Sequence, residues 1–115
     1  MELTMQPLLE QLMTVACREQ VVRTQALLDG AELLAYPLAH GALVGIGFAR
    51  GASQGARISE VLRRRAARMA ELGDWLPVML GDGSWYLARR LRDNADGPSA
   101  RPAAAELAAV RELLR

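Results

Sequence analysis

PLAHGALVGIGFARGASQGARISEVLRRRAARMAEL, residues 37–72, is the stretch whose reading decides the fold. Read for the 3.6-residue period, it predicts a helical hairpin. A small-residue helix spans about 38–49, a Gly/Ser turn follows, and a second helix spans about 56–72. The first helix would hold Gly41, Gly45 and Gly47. Each interior glycine costs a helix roughly 1 kcal/mol relative to alanine, so three need a compensating reason. Gly41 and Gly45 share a helical face, which would admit another backbone closely or form the floor of a partner groove.

The second helix has a clear apolar stripe. At 100° per residue, Ile58, Val61, Leu62, Met69 and Leu72 fall within about a third of the circumference. Arg57, Arg64 and Arg68 line another side, beside Glu60 and Glu71, and Glu60 precedes Arg64 in the favourable i,i+4 order. Arg65 projects into the apolar stripe. It must snorkel, pair with a carboxylate, or meet a partner, and an internal or snorkelled role is expected.

The remaining segments extend the helical reading. Pro7 suits a helix start, followed by Leu8, Leu12 and Val15 on one face and Leu9, Met13 and Ala16 on the next. A helix over about 18–35 is expected, with Val22, Ala26 and Leu33 on one face and a boundary at Tyr36 before Pro37. Gly73 reads as a terminating glycine and Asp74 as the cap of a short helix through Trp75 and Leu80. Gly81-Asp82-Gly83 is a turn, and Ser84 would cap a further helix, SWYLARRLRDN. A loop is expected over 94–101. Pro102 then opens a last helix striped by Ala103, Leu107, Val110 and Leu114.

The expected fold is therefore all-α and a single domain over residues 1–115. About seven short helices would form antiparallel pairs in a tetratricopeptide-like right-handed superhelix. The central pair carries a weak form of that repeat pattern, at Val44-Gly45, Phe48, Gly51, Ala56 and Val61.

Composition narrows the chemistry. The net charge is +1 and every basic residue is arginine, so no global attraction to nucleic acid or an anionic membrane is expected. Cys17 is the single cysteine and His40 the single histidine, which leaves no His/Cys metal set. Neither a phosphate loop nor a nucleophile elbow is present. No catalytic residue, cofactor or metal is expected, and the reading is not that of an enzyme. The N-terminus lacks a basic, apolar leader pattern. The most apolar window, 33–49, is short for a membrane span and reads as buried in protein. A reducing cytoplasm suits the lone cysteine.

The pieces together resemble the small tetratricopeptide-like chaperones of bacterial type III secretion needle subunits, the G-type partner of the Yersinia and Pseudomonas class. The resemblance lies in the layout from Trp75 onward. It comprises a short Trp-containing helix, a Gly turn, and an amphipathic helix ending Ala88-Arg89-Arg90-Leu91. The loop Gly97-Pro98-Ser99 and the ending Ala108-Ala109-Val110-Arg111 follow. Ala31-Glu32-Leu33-Leu34 matches a segment before the family's central hairpin. Arg18 to Val22 replaces the family's Cys/His/Glu-rich segment, and the turn at Gly81 to Gly83 is two residues shorter.

That resemblance implies a cytoplasmic chaperone holding the C-terminal amphipathic helix of a needle subunit in a concave apolar groove, within a heterotrimer completed by a second small helical co-chaperone. The implied cargo-groove positions are Val44, Phe48, Trp75, Met79, Leu107, Val110 and Leu114. Leu9, Met13 and Ala16 would meet the co-chaperone. Two other readings stand beside it. One is a different helical adaptor or secretion chaperone. The other is a DNA-binding regulator using the helix of Arg63, Arg64, Arg65 and Arg68, with Arg89, Arg90 and Arg92, against which the near-zero net charge argues.

Overall fold

A computed structural model describes residues 5–27, 30–49, 58–94, 97–98 and 102–115. It corrects the all-α expectation. The elements run α1 (Met5–Glu19), β1 (Arg23–Ala26), β2 (Glu32–Leu38), β3 (Gly41–Phe48), α2 (Ile58–Ala66), α3 (Met69–Leu72), β4 (Leu76–Met79), β5 (Trp85–Asn94), β6 (Gly97–Pro98) and α4 (Ala104–Leu113). Five strands form an antiparallel sheet in the order β1-β2-β3-β5-β4, and the two-residue β6 pairs with the end of β5. Neither a tetratricopeptide-like superhelix nor the helical hairpin over 37–72 is present among the described residues.

The decisive stretch begins as strand rather than helix. In β3 the larger side chains Val44, Ile46 and Phe48 alternate with Gly45 and Gly47, a period of two instead of 3.6. β-Branched Val44 and Ile46 favour extended backbone, and the glycines that would have weakened a helix sit where neighbouring strands crowd. Gly41 has φ +137°, and a Cβ there would stand 2.0 Å from the Leu91 carbonyl oxygen. The helix expected over 18–35 is absent: α1 ends at Glu19, where Gln20 turns left-handed at φ 56° and the Val21 N–H returns to the Ala16 carbonyl at 3.1 Å, and β1 and β2 follow. The later helix expected at SWYLARRLRDN is β5, and the short one after Asp74 is β4. Instead of a helix cap, Ser84 closes their hairpin: its N–H and hydroxyl both donate to Asp82 Oδ1.

Three helix expectations hold in part or whole. α1 and α4 lie where Pro7 and Pro102 pointed, and α2 with α3 covers much of the second half of the hairpin. Gly73 does end α3, but in right-handed backbone with its N–H bonded to Met69 O. Of the loop expected over 94–101, residues 95–96 and 99–101 lie outside the described residues, as does the expected Gly/Ser turn at 51–55.

Register sorts the sheet into two faces, since directly paired residues project to the same side. One face carries Leu33, Val44, Ile46, Phe48, Trp85, Leu87 and Leu91. These join one buried cluster with Met5 and Leu9 of α1, Val61 of α2, Leu72 of α3, Trp75, and Leu107, Val110 and Leu113 of α4. Phe48 and Trp85 add a tilted ring contact at 5.5 Å. The opposite face presents Glu32, Leu34 and Tyr36 on β2, Leu43, Gly45 and Gly47 on β3, and Tyr86, Ala88 and Arg90 on β5. There Glu32, Gly47 and Tyr86 stand in one row. The bare Gly47 leaves the path clear for the Tyr86 hydroxyl to donate to Glu32 Oε2 at 2.7 Å, linking β5 to β2 across β3.

That phenol supplies a pH handle. Burial, then the acceptor Glu32, push the Tyr86 hydroxyl up to about 12. A group raised in the folded state contributes stability below its unfolded value near 10 and loses it as pH climbs toward the folded value. Stability is therefore expected to fall between about pH 10 and 12. Tyr86→Phe should flatten that limb in urea melts; an equally steep limb in the variant would assign it to other groups.

Candidate partner-binding edge

β4 is the last strand of the sheet, with β5 on one side and no strand on the other among the described residues. Its hairpin fixes which backbone groups face outward. The Leu80 N–H donates to the Ser84 carbonyl at 2.9 Å, so alternation turns Val78 and Leu76 toward β5. Pro77 and Met79 then point away from the sheet. Proline has no N–H, and a strand tolerates it only where none is needed, so LPVM reads as an edge strand. The outward groups are the Pro77 carbonyl and the N–H and carbonyl of Met79.

The side chains on this edge are unusually apolar. Leu76 is 55% exposed and Met79 65%, and Pro77 is also exposed. Edge strands are ordinarily blunted by charge, bulges or a covering element. Among the described residues the proline alone performs that task.

The start of β4 is pinned. Arg65 Nε donates to the Trp75 carbonyl at 2.6 Å and its Nη2 to the Gly73 carbonyl at 3.1 Å. The guanidinium that interrupted the apolar stripe of α2 thus has an internal role, with backbone carbonyls rather than a carboxylate as its acceptors. Trp75 is fully buried, and its indole N–H donates to Glu106 Oε2 at 2.7 Å. Arg89 on β5 meets the same carboxylate at 2.9 Å. Glu106 lies in the first turn of α4, where a carboxylate is favoured by the helix dipole. Two elements, α2 and α4, therefore hold the residue just before Leu76, and β5 braces the second through Arg89.

The structure places the residues expected to line a cargo groove in the core rather than on an open groove. Val44, Phe48, Trp75, Leu107, Val110 and Leu114 are all buried in the common core, and Met79 alone is exposed. Of the positions expected to meet a co-chaperone, Leu9 and Ala16 are buried and Met13 is half-buried. Leu76 escaped sequence reasoning, although the proline one residue later was the signal for an edge. The arginine helix is largely committed internally: Arg64 pairs with Glu60 at 3.0 Å, Arg68 with Glu71 at 2.7 Å, and Arg65 caps carbonyls. Among the described residues no group of His, Cys, Asp and Glu is placed to hold a metal, and no helix is long and apolar enough to cross a membrane.

No family model matches this chain, and neither a curated protein nor a solved structure matches it.

Proposed function

We propose that this chain is a protein-binding adaptor of the secretion-chaperone kind, which holds an extended apolar segment of a partner along β4 in the bacterial cytoplasm. The carrying observation is the open edge itself, with outward backbone groups at Pro77 and Met79 beside exposed Leu76 and Met79. An added strand satisfies such groups through main-chain hydrogen bonds, while alternate side chains set specificity. Sequestering an apolar segment also keeps its owner from aggregating, which is the task the family resemblance implies. The resemblance named a needle subunit held as a helix in a helical groove. In a sheet protein the corresponding occupant is a strand, and a needle subunit is one cargo the experiment can recover.

The test compares tagged wild type with Met79→Pro, which removes the one outward N–H without touching the hydrogen bonds to β5. A partner recovered in fixed ratio from native lysate should be lost from the variant, with binding weakened at least tenfold while the melting temperature holds. Equal recovery by Met79→Pro and by Leu76→Glu would remove the edge from the reading. A small helical protein as the recovered partner would favour needle cargo.

A further inference from the structure

A second surface lies on the sheet face away from the described helices, at the rim of a patch where Leu34, Tyr86 and Ala88 are buried, and does not rest on the β4 reading. Tyr36, Leu43 and Arg90 are directly paired neighbours on β2, β3 and β5, so their side chains form one row across the sheet. The β1–β2 register, continued by one residue, sets Val22 beside Tyr36. Val22 is 45% exposed and Tyr36 39%, and Leu43 is half-buried. Arg92 follows Arg90 on the same face, opposite Gly41, which has no side chain to cover it.

Both arginines are exposed, and neither forms an ion pair or hydrogen bond with the described residues. This separates them from Arg64, Arg68 and Arg89, each of which has a carboxylate partner. The row is thus apolar for three positions and cationic at Arg90, with exposed Asp74 beyond it when the β4–β5 register is continued by two residues. Three interstrand steps of about 4.8 Å make it about 14 Å long, the reach of roughly four extended residues.

We propose that this row binds a short segment of a partner protein in which apolar residues lead into a pair of carboxylates. The apolar part would lie over Val22, Tyr36 and Leu43, and the carboxylates would meet Arg90 and Arg92, whose forked donors suit carboxylate geometry. Nucleic acid fits less well. It needs a longer track of free cations, whereas most of the arginines once grouped for that role are occupied.

The probe is a fluorescein-labelled peptide of three apolar residues followed by two glutamates, with a twin ending in two lysines, read by anisotropy on the full chain. The glutamate peptide should bind and the lysine twin should not, with affinity falling as salt rises. Arg90→Glu and Arg92→Glu should each weaken the glutamate peptide at least tenfold, and Leu43→Ser should weaken it without altering salt dependence. Arg90→Gln and Arg92→Gln serve if either charge reversal perturbs the circular dichroism spectrum. Equal binding of both peptides, or arginine variants that bind like wild type, would overturn the proposal. Binding of oligouridine tighter than the glutamate peptide, and lost in the same variants, would overturn it in favour of nucleic acid.

Discussion

Gly47→Ala is expected to lower the unfolding free energy by at least about 3 kcal/mol, the upper range for forcing extra atoms into a packed site. A Cβ at this position would stand 2.0 Å from the Trp85 carbonyl oxygen and 2.5 Å from the Tyr86 Cα. Those are backbone atoms of the neighbouring strand, so no rotamer change relieves the clash. β3 and β5 must separate, and both are interior strands of the sheet. The movement would also disturb the Tyr86–Glu32 bridge that crosses the same row. Urea unfolding followed by far-ultraviolet circular dichroism measures the loss. Gly81→Ala is the control: nothing lies within 4 Å of its added methyl, and its effect should stay within about 0.5 kcal/mol. Similar midpoints for the two variants would mean that β3 and β5 do not approach as described.

Trp75→Ala should cost about 4 kcal/mol, in the range measured for emptying a buried aromatic site. The indole is fully buried in the central cluster and its N–H is bound by Glu106 at 2.7 Å. Removing it leaves a cavity beneath the start of β4 and deprives Glu106 of one of its two partners. Trp75→Phe separates the two effects. It keeps most of the ring volume and loses the hydrogen bond, worth about 1 kcal/mol. Equal destabilisation by both variants would place the stability in the Glu106 contact rather than in packing. The same burial changes what a charge here can report. Trp75→Glu, and likewise Phe48→Glu, would unfold the core instead of blocking cargo, so exposed Met79 is the position at which binding is properly tested.

α1 and α4 were legible as helices because Pro7 and Pro102 mark their starts, with two adjacent apolar faces in the first and one apolar stripe in the second. The Glu60–Arg64 pair and the internal role of Arg65 were legible for the same reason: α2 is amphipathic over the span that stays helical. The central strands were not. AELLAYPL and GALVGIGF are almost continuously apolar, and a short apolar run fits a buried strand and a buried helix alike. Small residues tilted the choice toward helix, although Val44, Ile46 and the period-two placement of Gly45 and Gly47 belonged to a strand. The family resemblance leaned on the same misread segments, and with them went the helical groove.

The sequence alone determined the absence of a His/Cys metal set, the near-neutral charge, the terminal helices and the turn at Gly81 to Gly83. Tertiary structure alone decided that Val44, Phe48, Leu107 and Val110 are core rather than surface, and that Leu76 and Met79 are surface rather than core. The reason is physical. An apolar side chain carries the same transfer free energy wherever it occurs in the chain, and only the register of neighbouring strands determines which side chains other elements cover. Register is a long-range property, set here by β5 entering between β3 and β4, and local patterning contains no record of it.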